Sequence, residues 1–153
     1  MRVQHILPQT RNNPSSGQLT AQIEGDVPFG SNMLNFAYDY YTTDRKLRLT
    51  LSAVQTPDDA DSERVIRGIE MVFDKDVMTE TLTIEDQKVH VTYWKMWAEN
   101  GQTLFQTNDA DKGSVTVSFN HHEESYTGDF AFKLDDCLIE GKFSIKGRDN
   151  FTL

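Results

Sequence analysis

A single cysteine, Cys137, stands in 153 residues, so no internal disulfide can staple the fold, and such sparing use of cysteine suits a reducing compartment. No apolar run approaches the roughly 18 residues that a bilayer-spanning helix needs. The N-terminus, Met1-Arg2-Val3-Gln4-His5-Ile6-Leu7-Pro8, has one basic residue and too short an apolar stub for a secretory signal. These absences together predict a cytoplasmic protein. Basic residues are scarce as well: 15 Lys and Arg against 24 Asp and Glu leave a net charge of −9 at pH 7. A nucleic-acid or anionic-membrane surface needs clustered Lys and Arg, and the positive residues here are scattered, so neither partner is expected.

Catalytic signatures are missing too. There is no Gly-x-Ser-x-Gly elbow, phosphate loop or dinucleotide fingerprint. Cys137 follows Asp136 at a tight turn, and neighbouring carboxylates raise a thiol pKa rather than activate the sulfur. Paired acids carry no information in a chain so rich in them. The expectation is therefore a protein that binds rather than one that catalyses. Finally, no segment repeats its apolar residues at helical spacing between caps.

What the chain does have is alternation. Ser114 to Phe119 alternates polar and apolar residues without a break. Glu124 to Leu134 and Leu138 to Lys146 follow, joined by short turns. Side chains on a strand alternate faces, so Val115, Val117 and Phe119, then Phe130, Phe132 and Leu134, then Ile139, Phe143 and Ile145 can share one buried wall. This is a three-stranded antiparallel meander.

Earlier in the chain, residues 1–18 read as an irregular segment, and 19–153 as one all-β domain. Leu19, Ala21 and Ile23 mark a first strand, 25–30 has loop chemistry, and Leu34, Phe36, Tyr38 and Tyr40 share one face of the next. A turn near Thr43 leads to Lys46–Ser52, whose leucines point one way. Val65, Ile69, Met71 and Phe73 are in phase on another strand, with Arg67 intruding on that face. Thr79–Ile84 and Lys88–Trp94 predict a hairpin around Glu85-Asp86-Gln87, and Trp94–Gly101 a short helical turn or loop. About nine or ten strands at this spacing predict a β-sandwich, with a closed antiparallel barrel as the alternative. The polar loops at 56–63 and 107–113 suit connections that cross between two sheets. They also resemble each other at a spacing of about 50 residues, which fits either a duplicated unit or two similar acidic loops.

Three groups could carry function. Asp59 and Asp61 in one loop, and Asp109 and Asp111 in the other, set acidic oxygens at alternate positions, as calcium ligands require, although neither loop follows the EF-hand pattern. His121 and His122 join them as candidate metal ligands, but adjacent strand residues point apart and a solvated turn explains them more simply. Tyr93, Trp94 and Trp97, with Tyr41, could form an aromatic platform for a sugar or another flat ligand. The odd offset between Trp94 and Trp97 places them on opposite faces of an extended strand. The functional expectation is a non-catalytic acidic sandwich that binds a protein partner, itself basic, in the manner of an inhibitor or immunity protein. A small-ligand or carbohydrate module, with or without calcium, is the alternative.

Overall fold

The computed structural model describes residues 15–40, 45–57 and 64–149. Among the described residues there are eleven strands: β1 (Ser16–Ile23), β2 (Phe29–Ser31), β3 (Met33–Tyr40), β4 (Leu47–Gln55), β5 (Ile66–Asp74), β6 (Thr79–Thr83), β7 (Val89–Glu99), β8 (Gln102–Asp109), β9 (Lys112–Asn120), β10 (Ser125–Leu134) and β11 (Cys137–Lys146). They form a six-stranded sheet in the order β2-β1-β11-β10-β9-β6 and a five-stranded sheet in the order β3-β4-β5-β7-β8. Every pairing is antiparallel. The sheets do not close on themselves, so the fold is a β-sandwich. Among the described residues no helix is long and apolar enough to cross a membrane.

The C-terminal meander is the wall its alternation predicts. Val115 faces Phe130 and Phe119 faces Tyr126 across β9 and β10, and Phe132 faces Ile139 across β10 and β11; all are buried. Between the sheets, aromatic rings meet edge to face, the geometry their quadrupoles favour. Phe119 lies 5.8 Å from Phe36, 5.3 Å from Phe73 and 5.3 Å from Tyr126, ring centre to ring centre. Phe36 and Phe73 come from the five-stranded sheet, so this cluster bolts the two layers together.

Three sequence expectations change. The predicted hairpin of β6 and β7 turns where expected, with Lys88 N–H bonded to Thr83 O at 3.1 Å, but its strands lie in different sheets. β6 pairs with β9, while β7 pairs with β5 and β8. Leu82 and Val89 both point into the core, one from each layer; alternation reports the inward face and not the layer. Trp94–Gly101 is no helical turn: β7 runs straight on to Glu99, and β8 returns beside it. The joint is the pair Asn100-Gly101, with φ of 51° and 77°, the left-handed values that a two-residue hairpin demands and that Asn and Gly tolerate best. Third, the stretch at 25–30 ends in a short strand, because Phe29 is needed in the core.

The two acidic loops serve different connections. The first joins β4 to β5 within one sheet, and residues 58–63 of it lie outside the described residues. The second is shorter than expected, since 107–109 belong to β8, and it crosses from one sheet to the other at Ala110 and Asp111.

Two reciprocal pairs tighten the meander: Gly128 opposite Phe143, and Phe130 opposite Gly141. A Cβ on Gly141 would stand 2.1 Å from Thr20 O and 2.8 Å from the Ala21 Cα, so the backbone of β1 would have to move. Gly141→Ala is expected to lose about 2–3 kcal/mol of stability, read as a lower midpoint in urea with little change in slope.

Candidate functional site: the two sides of β7

β7 sits between β5 and β8 and presents a different chemistry on each side. Val89, Val91 and Tyr93 face the core, and the same side continues to Lys95 and Trp97 at one end of the sandwich. There the β1–β2 loop, the adjoining ends of β4 and β5, and the far end of β7 enclose an open groove of about 840 Å³. Val27, Pro28, Val65 and Trp97 form its apolar walls, while Asp26, Gln55, Lys95 and Gln106 supply polar groups.

Arg67 anchors this end. The residue that breaks the apolar phase of β5 points inward and is only 5% exposed. A buried guanidinium is tolerated when its donors are met. Nη1 donates to Val27 O at 2.8 Å and to the Tyr93 hydroxyl at 3.4 Å. Nη2 donates to Pro28 O at 2.7 Å and to the Gln55 amide oxygen. Its plane lies 5.5 Å from the centre of the Phe29 ring, and Asp26 Oδ1 is 3.7 Å from Nη1. One side chain thus ties the β1–β2 loop to three strands of the opposite sheet.

Asp26 joins the cluster to the surface. Lys95 Nζ is 2.5 Å from Asp26 Oδ2, and the Tyr93 hydroxyl donates to the same oxygen at 3.1 Å. Partial burial works to raise the Asp26 pKa. The hydrogen bonds from Lys95 and from Val27 N–H, with the charges of Lys95 and Arg67, outweigh it and hold the carboxyl below its ordinary value. Burial, opposed by Arg67 and assisted by Asp26, pushes Tyr93 up to about 12. Tyr93 is therefore a neutral structural hydroxyl here and not a base.

The other side of β7 carries Trp94 and Met96. Trp94 lies flat over Gly68, where an added Cβ would meet the indole at 2.1 Å; only glycine leaves that space. Phe105 on β8 sits opposite Met96 and 5.7 Å from the Trp94 ring, and it is 60% exposed. Along the row of Trp94 and Gly68, Val54 stands opposite Gly68 and Met33 opposite Val54; Met33 is 54% exposed. One row further on come Glu70, Thr92 and Asp109, with Thr92 Oγ1 donating to Asp109 at 2.8 Å. Glu70 as a residue is exposed, yet burial of its carboxyl and the charge of Asp109 both push its pKa up.

The aromatic candidates are thus divided. Tyr93 is buried in the core end, Trp97 lines the groove, Trp94 lies on the outer face, and Tyr41 is outside the described residues. Of the acidic candidates, Asp59 and Asp61 also lie outside them, Asp109 is bonded to Thr92, and Asp111 is exposed. His121 and His122 do not converge. The His121 Nε2 lies 2.7 Å from Val77 O, which requires a proton on that nitrogen, and its ring packs against Phe119 and Tyr126; His122 is exposed. Among the described residues, no three His, Cys, Asp or Glu side chains are placed to share a metal ion. Burial and then the charges of Glu24 and Asp26 push the Cys137 thiol up, so it is a poor nucleophile.

Sequence reasoning marked Arg67 as an intruder on its strand but gave it no role, and it overlooked Asp26 and Lys95. The signal was present, because a charged residue in phase with Ile69, Met71 and Phe73 must find partners inside. It also overlooked Phe105, whose strand is announced by Asn100-Gly101. Compared with protein-family models, curated proteins and solved structures, the chain matches none.

Two outcomes follow from the Arg67 cluster. Arg67→Leu leaves two carbonyls and the Gln55 amide without their donor and is expected to cost about 3 kcal/mol, measured by denaturant unfolding. Because the folded Asp26 is more acidic than the unfolded one, its contribution is complete above the unfolded pKa of about 4. It disappears as pH falls through the lower folded value. Asp26→Asn should be less stable at neutral pH and should show a flatter acid limb in a plot of stability against pH.

Proposed function

We propose that the protein is a non-catalytic binding domain that docks a protein partner on the outer face of its five-stranded sheet. One observation carries this reading: the two outer faces differ. The six-stranded sheet turns Thr116 and Ser118, Thr127, Asp129 and Lys133, and Glu140 and Lys142 to solvent, the ordinary polar exterior of a sandwich. The five-stranded sheet turns out Trp94, Met96 and Phe105, with Met33 and Val54 beyond them. A grouped apolar patch with a polar border is the usual mark of a protein interaction site.

The border suggests the partner's chemistry. Glu70 and Asp109 stand one row from Trp94, and their mutual repulsion contributes to the raised pKa of Glu70. A Lys or Arg from a partner, set between them, relieves that repulsion while an apolar side chain meets Phe105. The net charge of −9 draws a basic protein by long-range attraction. An inhibitor or immunity-like role against a basic target, in the cytoplasm, fits these features.

The test is capture from native lysate on immobilised protein, comparing wild type with Phe105→Ser and Glu70→Lys. Both positions are exposed, so unfolding temperatures should stay within a few degrees of wild type, while capture of a basic protein drops at least tenfold and weakens as salt rises. Capture that survives both substitutions, or no capture at low ionic strength, sinks the reading.

The groove favours a second reading, a small ligand held against Trp97 with its polar groups at Lys95, Gln55 and Gln106. Quenching of tryptophan fluorescence by a ligand in wild type but not in Trp97→Phe would support it.

A further inference from the structure

We propose that β8 is a docking edge for a second copy of this chain, joining two five-stranded sheets into one continuous ten-stranded sheet through an antiparallel β8–β8 pairing centred on Phe105. An exposed sheet edge is a template for another strand, and proteins ordinarily blunt such edges. Three of the four edges here are blunted. β2 has three residues and β6 five, with Glu80 near its middle. β3 is long, but its free side is occupied: Asp149 N–H donates to Phe36 O at 2.8 Å, and Phe36 N–H donates to Asp149 Oδ2 at 3.0 Å.

Among the described residues, β8 has none of these guards. It runs for eight residues, and Gln102 to Asn108 contain no charge and no proline. The two-residue hairpin pairs Glu99 with Gln102, so even-numbered residues of β8 bond to β7, as the link from Ala110 N–H to Val91 O at 2.9 Å also shows. Thr103, Phe105 and Thr107 then turn their backbone N–H and C=O groups outward. Among the described residues, none bonds to them from that side.

The strand is self-complementary about Phe105. With the two-fold axis there, Thr103 meets the second copy's Thr107, and Phe105 meets its counterpart. Each such pair exchanges two hydrogen bonds, for about six in all. In a chain of charge −9, self-association needs a register that keeps acids apart. This one sets Asp109 opposite Gly101 of the other copy, and no like charges face each other between Gln102 and Asn108. The outer faces also merge, with the paired Phe105 rings flanked by Met96 and Trp94 from both copies. A single strand pairing buries little area compared with a permanent dimer, so association is weak and concentration-dependent. It leaves the apolar face uncovered, and it stands or falls independently of the partner proposed above.

Sedimentation velocity over a concentration series is the test. Wild type should shift from monomer towards dimer as concentration rises. Thr103→Pro removes an outward N–H at an edge, where proline spares the β7 ladder, and leaves Trp94, Met96 and Phe105 in place. It should weaken self-association at least tenfold without lowering the unfolding temperature by more than a few degrees. Phe105→Cys supplies an independent reading, because an axial pair has Cα atoms about 5.5 Å apart, within disulfide reach. Mild oxidation should crosslink Phe105→Cys into a dimer, while Thr103→Cys and wild type, whose own thiol is Cys137, should crosslink far less. Wild type that stays monomeric at millimolar concentration overturns the proposal, as does a dimer in which crosslinking at 103 equals that at 105.

Discussion

The bonding of Arg67 is the constraint on which one end of this molecule depends. A guanidinium buried between two sheets is costly unless its donors are met, and four different acceptors meet those of Nη1 and Nη2. Two of those are carbonyls of the β1–β2 loop, so the loop has to return over the end of the opposite sheet. Asp26 is drawn in by the same charge and in turn holds Lys95. The shape of the groove follows from this chain of compensations, since its floor is the arginine and its rim is the pair that neutralises part of the charge. The cluster is mainly structural in consequence: Tyr93 and Arg67 have their hydrogen-bonding capacity used internally, which leaves Lys95, Trp97 and the two glutamines to line the open groove.

β7 couples that end to the outer surface. Its two-residue period sends Tyr93, Lys95 and Trp97 towards the core side and Trp94 and Met96 to the other. Gly68 beneath Trp94 allows the indole to lie flat, which brings it against Phe105 and leaves a broad apolar face. The opposite sheet shows what an unspecialised exterior looks like in the same molecule, with serine, threonine and paired charges in the corresponding places. Edge guards are distributed in the same uneven way among the described residues, since Asp149 covers β3 and brevity protects β2 and β6, while β8 is long and uncharged from Gln102 to Asn108. The apolar face and the bare edge therefore occur on the same side of the fold.

The meander from Val115 to Ile145 was legible almost residue by residue, because perfect alternation has one reading. The Asn100-Gly101 turn was equally explicit and would have revealed β8. The phase of Arg67 was visible too, but its meaning required knowing which loop carbonyls lay within reach. Trp94 and Trp97 were separated correctly by their odd offset, whereas the β5 neighbour of Trp94, Gly68, could not be named, because that contact depends on register between segments far apart in sequence.

By itself, the sequence determined most of the strands, though not β2, β8 or the far end of β7, together with their inward faces and the all-β class, since these follow from local periodicity and from the cost of burying polar groups. Tertiary structure alone decided which layer each strand joined. β6 and β7 share a turn and still part, because Leu82 and Val89 fill the core from opposite sides and β9 offers β6 a free edge. Only the assembled fold could place Gly68 beneath Trp94, Asp26 beside Arg67 and Asp149 along β3. Each of those contacts joins residues brought together by packing, a three-dimensional condition that no local pattern encodes.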